Sequence, residues 1–276
     1  MAPTAPSALL CGDPARALAI AQLLLVQPRM SNHHRGLWGY HGETAEGGEL
    51  TVQATGIGGP SAAIVIGELA ELGLRRAIRV GTCAAAGELP PAGTVLVARR
   101  AVALDGTSAA LGIEPGSELR PDPDLTGAML ELGLDGAVVV SADLPPGQAP
   151  SSPGLSSGSP DPRVADLQTA AVLASAGARG VRAAAGLVVG SAAGRRLEDE
   201  PLEARLLQLA QTAAASLRRT ARAPASSSGL ESNPFRTLVY LRMRDAWCEP
   251  GERKMTNNDK IRFRGSSLPP RFYFTL

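Results

Sequence analysis

The apolar residues of this chain come in short runs that break on glycine and proline, with longer stretches between them in which apolar positions recur every three or four residues. Ala8-Leu9-Leu10-Cys11 ends on Gly12-Asp13-Pro14, the pattern of a buried strand, a turn and a helix. Asp13 is placed to cap that helix and Pro14 to occupy its first position. Apolar positions at Leu18, Ile20 and Leu24 carry it onward. Leu37–Tyr40 and Leu50–Thr55 read as strands. Gly56-Ile57-Gly58-Gly59-Pro60-Ser61 then opens a helix through Ile64, Ile66, Leu69 and Leu72. Further strands are expected at Ala77–Gly81, Thr94–Arg99, Ala137–Ser141 and Ala183–Val189, and helices at Pro123–Leu132, Val164–Ser175 and Glu198–Arg222. Strands alternating with helices imply a three-layer α/β/α fold around a mixed, mostly parallel sheet.

Composition divides the chain in two. Seven of the nine aromatic residues lie beyond residue 224, and the first 224 residues contain only Trp38 and Tyr40 and no lysine. We therefore read 1–224 as one domain and 225–276 as a basic, aromatic-rich tail, expected to be poorly ordered. Arg236, Arg242, Arg244, Arg262, Arg264 and Arg271 are interleaved there with aromatics, a pattern that suits single-stranded nucleic acid, but the abrupt change of composition favours an extension without a selected role. Between Pro145 and Pro162 the chain is almost all Pro, Ser and Gly, a composition that cannot bury a core and reads as a mobile loop. A formal net charge of +1 gives no global attraction to nucleic acid or an anionic membrane. No apolar run reaches the roughly 20 residues of a spanning helix, and the N-terminus lacks a basic segment followed by an apolar one. Cys11, Cys83 and Cys248 are spaced too widely for a disulfide framework or a zinc site. A soluble cytoplasmic protein without a metal is the expectation.

Three places share an anion-binding logic. Gly12-Asp13-Pro14-Ala15-Arg16 follows a strand and opens a helix, where free backbone N–H groups favour an anion and Arg16 sits one turn in. Gly56–Gly59 repeats the arrangement. Arg79-Val80-Gly81-Thr82 puts a guanidinium and a hydroxyl at the C-terminal end of a buried strand, where α/β sheets bind ligands. Glycines for turns and arginines for the surface would explain any one of these alone. Their ordered recurrence carries the information.

Together with Asn32-His33-His34-Arg35-Gly36-Leu37 and Thr55–Ser61, these segments resemble the nucleoside phosphorylase-I family, which holds the hexameric purine nucleoside phosphorylases and the uridine phosphorylases. The resemblance covers roughly residues 8–222 and is densest up to Ala86. It implies phosphorolysis, in which a nucleoside and orthophosphate give free base and ribose 1-phosphate. Orthophosphate is then a co-substrate and no cofactor is needed. Gly12, Arg16, Arg79 and Thr82 would bind phosphate, with Arg79 catalytic. Arg35 would reach a neighbouring subunit's site in a dimer-based hexamer. Leu167 and Gln168, in Asp166-Leu167-Gln168-Thr169, stand where the family places Glu-Met-Glu against the ribose; His34 is a further candidate to face it, with a plain surface histidine as the alternative.

The base end departs from the family. Ser141-Ala142-Asp143 runs into Pro145 and Pro146, where relatives carry a stacking aromatic pair. Gln148, in Pro146-Gly147-Gln148, is the candidate base contact, although the arginine expected two residues later is Pro150. Ser191 stands where purine-specific relatives place an aspartate, and a hydroxyl cannot be a general acid at neutral pH. Arg195 and Arg196 follow as candidates for a shifted base contact or as solvated charges. Cys83 reads as a small core residue. The expected activity is a nucleoside phosphorylase, leaning to purine. Its alternatives are a uridine phosphorylase proper, a phosphate-independent nucleosidase, and a nucleoside-binding relative with impaired turnover. The phosphate arginines argue against a hydrolase. A dinucleotide oxidoreductase is set aside because Gly56-Ile57-Gly58-Gly59 does not extend into the six-residue fingerprint.

Overall fold

The computed structural model describes residues 4–85, 90–145 and 163–222. Its first strand, β1 (Ser7–Cys11), is buried along its whole length. Leu9 and Cys11 enter one apolar cluster and Ala8 and Leu10 another, because successive side chains leave a strand on opposite faces. The chain then enters α1 (Pro14–Leu24) as the sequence predicts: the Asp13 carboxylate accepts the Arg16 amide at 2.9 Å, and Pro14 occupies the first turn.

An antiparallel meander follows, formed by β2 (Leu25–Asn32), β3 (Gly39–Thr44) and β4 (Glu49–Ala54). The strand expected from Leu37 begins instead at Gly39, after a 3-10 turn at His34–Gly36. β2 was not expected, since Pro28 and several polar residues interrupt its pattern. It pairs only with β3, with register shifts around Pro28, and an edge strand can carry a proline. β1 lies between β4 and β5 (Arg76–Ala85), parallel to both. The helix α2 (Gly58–Glu71) makes the crossover between β4 and β5.

The second half of the fold is a ring. It is built from β5, β6 (Val95–Leu104), β8 (Asp135–Ala142), β9 (Arg163–Asp166) and β10 (Arg182–Ala192). β10 pairs with β5 and β6, β6 with β8, β8 with β9, and β9 with β5. Leu96, Ala98, Val139, Val164, Ala185 and Leu187 fill the inside together with Cys83 and Ala85. Small side chains at half of these positions let five strands close on a narrow interior. Between them come the short α3 (Gly106–Ala110), β7 (Glu118–Leu119) and α4 (Pro123–Glu131); α5 (Thr169–Ala178), β11 (Arg195–Arg196) and α6 (Asp199–Arg222) complete the described chain.

Helices cover both faces of this mixed sheet. α1, α4 and α6 pack on one cluster, where Leu202, Leu206, Leu209, Ala213 and Leu217 form the buried stripe of α6. α2 and α5 pack on the other. The result is the three-layer α/β/α arrangement, with parallel and antiparallel pairs in one sheet. The helix expected over Val164–Ser175 needs correction. Its first residues are β9, and α5 starts at Thr169. The Asp166 carboxylate accepts the Thr169 amide at 3.1 and 3.2 Å, which satisfies one of the free amides at the start of the helix. Among the described residues no helix is long and apolar enough to cross a membrane, and no group of His, Cys, Asp or Glu is placed to hold a metal ion. The loop expected from Pro146 and the tail expected from 225 lie outside the described residues.

Candidate active site

The site is built around Arg79, on the face of β5 that also carries Gly81. A Cβ at Gly81 would lie 2.5 Å from the Arg79 Cζ, so glycine leaves the space in which the guanidinium lies back along its own strand. Arg79 is buried. Its Nη2 donates to Asp166 Oδ2 at 2.9 Å, its Nη1 to Gln168 Oε1 at 3.1 Å and its Nε to Thr169 Oγ1 at 3.2 Å. Three of its five N–H groups are thus engaged, and one hydrogen remains on each Nη.

Asp166 is equally enclosed. Besides Arg79 it accepts from the hydroxyls of Ser141 and Thr169, both at 2.6 Å. Such a saturated carboxylate fixes the guanidinium and compensates the cost of burying both charges. Gln168 is 3% exposed and binds through both ends of its amide: Nε2 donates to the carbonyls of Gly56 and Gly58, and Oε1 accepts from Arg79 and Thr55.

These groups border a cleft of about 720 Å³. Gly12 and Arg16 enter it from the start of α1, Thr82 from β5, Arg35 from the 3-10 turn, Leu167 and Gln168 from the turn before α5, and Ser191 from β10. Eight of the ten candidate residues therefore share one lining. His34 is not on it; it is exposed and stacks on His33, ring centroids 4.6 Å apart. Gln148 lies outside the described residues. Ser191 follows Gly190, where the β5–β10 register shifts, and it pairs with Arg196 of β11. Arg196 thereby joins the lining too, with its guanidinium 3.5 Å from Asp199. Pro145 reaches the cleft, and no aromatic side chain does so among the described residues.

Charge along this lining is asymmetric. Arg16, Arg35, Arg79 and Arg196 face Asp13 and Asp166, and both acids are engaged, Asp13 as a helix cap and Asp166 by Arg79. The Thr82 hydroxyl has no hydrogen-bond partner among the described residues. A Cβ on Gly12 would come within 3.2 Å of the Gly56 carbonyl, so two glycine turns meet at the mouth. Such a wall suits an oxyanion. The thiols do not contribute a nucleophile: burial raises Cys11 and Cys83 above the ordinary thiol range, and the nearby Asp166 carboxylate raises Cys83 further.

Asp166 as the partner of Arg79 was missed from the sequence. A buried arginine demands a carboxylate, and that demand was the available signal. The residue that answers it lies 87 positions away, brought there by the pairing of β9 with β5.

Residues 6–223 match the family model described as the phosphorylase superfamily. The chain belongs to this superfamily. Over 78 residues it is 46% identical to a DeoD-type purine nucleoside phosphorylase of Oceanobacillus iheyensis, which is 28% of this chain and 33% of that one. Over 103 residues it is 44% identical to a uridine phosphorylase of Treponema pallidum, covering 36% of this chain and 38% of that one. The chain thus matches these relatives over well under half of their length. A solved structure of the uridine phosphorylase from Vibrio fischeri ES114, complexed with 6-hydroxy-1-naphthoic acid, aligns with a TM-score of 0.67 at 21% identity, over 78% of this chain and 92% of that chain. That likeness establishes the phosphorylase fold for the chain. The cleft of this superfamily member lies past the C-terminal end of β1 and along β5 from Arg79 to Ala84.

Proposed function

We propose that this chain is a nucleoside phosphorylase acting in salvage, which cleaves the N-glycosidic bond of a purine nucleoside, or of a uracil nucleoside, using orthophosphate as co-substrate. The observation that carries this reading is Arg79. It is a buried guanidinium pinned on three sides, with a hydrogen left on each Nη, at a cleft it shares with Gly12, Arg16 and Thr82.

Bound there, a phosphate dianion is held by charge-assisted bonds in one orientation. One of its oxygens attacks the ribose C1′ as the bond from C1′ to the base nitrogen breaks. Its remaining negative charge stabilises the electron-poor ribosyl group, and the base leaves with the bonding electron pair and takes up a proton. Leu167 and the edge of Gln168 border the sugar in this reading, and Ser191 lies toward the base. A serine can hold a base edge but cannot supply the roughly 10²- to 10⁴-fold of a positioned general acid. Arg35 completes the phosphate site of a neighbouring copy in a dimer-based hexamer. Its left-handed backbone, with φ of 57°, presents it from an exposed turn at the rim.

One observation favours a second reading, a nucleoside-binding protein without turnover. Pro145 rather than an aromatic ring reaches the cleft, and Ser191 replaces an acid. Base release from inosine, adenosine, methylthioadenosine and uridine, with and without orthophosphate, separates the two. Release that requires phosphate supports the phosphorylase and names its base. Release without phosphate, or none at all, overturns it.

A further inference from the structure

Gln168 stands where a sugar-reading carboxylate was expected, yet both N–H groups of its amide and a lone pair of its oxygen are already in use. An amide offers two N–H donors and two carbonyl lone pairs. Nε2 donates to Gly58 O at 2.9 Å and Gly56 O at 3.0 Å. Oε1 accepts from Arg79 Nη1 at 3.1 Å and lies 3.0 Å from Thr55 Oγ1. The Thr55 hydroxyl carries one proton and lies 3.0 Å from both Gln168 Oε1 and Cys11 O, so it serves either acceptor. The orientation of the amide follows from this chemistry, since the carbonyls of Gly56 and Gly58 can only meet its nitrogen.

Three separate segments converge on this one side chain: the end of β4 with its glycine turn, the guanidinium on β5, and the turn between β9 and α5. Gly56 and Gly58 both have left-handed backbone, at φ of 72° and 79°, a conformation open to glycine. We infer that Gln168 is a positioning residue that ties the Gly56–Gly58 turn to Arg79, and that the site requires a neutral amide at this place.

A carboxylate would fail in two ways. It has no proton to give the two glycine carbonyls, so acceptors would oppose acceptors at hydrogen-bond distance. It would also add a second negative charge beside Arg79, whose positive charge Asp166 already balances, so that this part of the wall would repel orthophosphate. The inference rests on the reading that this cleft takes orthophosphate, but the tie itself can be tested without that reading.

The test uses the full chain and the variants Gln168→Met and Gln168→Glu. Hydrogen exchange over residues 55–61 reports the turn, and calorimetry with inorganic phosphate reports the site. Protection of the turn should fall about tenfold or more in both variants. Phosphate affinity at pH 8 should fall further for Gln168→Glu than for Gln168→Met. Between pH 8 and pH 5 the ratio of wild-type to Gln168→Glu affinity should shrink toward one, as the introduced carboxyl gains the proton that lets it donate to a glycine carbonyl. The charged groups bearing on position 168 are Arg79 from β5 and Asp166 from β9; the thiols of Cys11 and Cys83 stay neutral throughout that range. If neither variant folds, the wild-type protein still decides: both side-chain amide protons of Gln168 should exchange slowly in NMR spectra. Unchanged turn protection in either variant, an affinity ratio that does not move with pH, or fast exchange of the Gln168 amide would overturn the inference. Wild-type protein that binds no phosphate while its turn stays protected would instead remove the phosphorylase reading and leave the tie standing.

Discussion

Arg79 and Asp166 form an ion pair 2.9 Å long in which neither side chain is more than 7% exposed. It is the centre of a polar cluster that also holds Ser141, Gln168 and Thr169, inside a fold whose buried residues are mostly alanine, valine and leucine. An incoming anion meets a guanidinium whose direction is already fixed. The entropy of ordering it is spent on folding rather than at the moment of binding.

Removing one partner exposes the cost of that arrangement. Arg79→Met leaves the Asp166 carboxylate buried without a counter-charge, and it should lower unfolding free energy by about 3–5 kcal/mol in urea titrations. The wild-type protein should gain thermal stability as orthophosphate is added, and the variant should gain none. A variant as stable as wild type, or one still stabilised by phosphate, would contradict the role assigned to Arg79.

Gly81→Ala addresses the same guanidinium from the backbone. The new Cβ would lie 2.5 Å from Arg79 Cζ, and three hydrogen bonds keep that group from moving aside. Loss of about 1–3 kcal/mol is expected, with weakened phosphate binding. Adding Arg79→Met to Gly81→Ala should cost clearly less than the sum of the two, because both changes disturb one interaction. A double-variant cycle by chemical denaturation reads this directly.

Thr82→Val separates binding from stability. The hydroxyl lines the cleft with no partner among the described residues, so its loss should change unfolding free energy by no more than about 0.5 kcal/mol. A hydrogen bond to a charged ligand is worth more, and the KM for phosphate should rise about tenfold. Steady-state kinetics with phosphate as the varied substrate checks it.

Cys11 and Cys83 should resist alkylation in the native protein. Both thiols are raised by burial, so at pH 8 their thiolate fraction is below that of an ordinary cysteine, and reaction needs the thiolate. Peptide mass spectrometry after iodoacetamide should find both residues modified only in denaturant. Labelling of either in native protein at rates near those of a free thiol would be the contrary result.

Local chemistry was legible in the sequence and distant pairing was not. Gly12-Asp13-Pro14 announces a strand end, a cap and a helix start within three residues, and the structure follows it. Arg79-Val80-Gly81-Thr82 could be placed on a buried strand, but not at its end, because β5 runs on to Ala85. Residues 164–166 were misread as helix because Val164, Leu167, Ala170 and Ala171 have helical spacing. They extend as β9 because β5 and β8, far away in sequence, pair with them. Gln168 could be located but not understood. A lone Gln replacing a carboxylate says nothing of the carbonyls of Gly56 and Gly58, which lie 112 and 110 residues earlier.

The ring of β5, β10, β6, β8 and β9 bears on how such a protein can change over generations. A strand paired on both sides around a closed circuit cannot slide by a residue without breaking every other register, so inherited variation inside the ring is confined to what fits its interior. The rim segments are under no such constraint. Residues 12–16, 56–58, 143–145 and 190–196 sit at strand ends, and each can be lengthened, shortened or rewritten while the barrel folds as before. A lineage built on this frame can trade one ligand for another at its rim and keep the arginine at its centre.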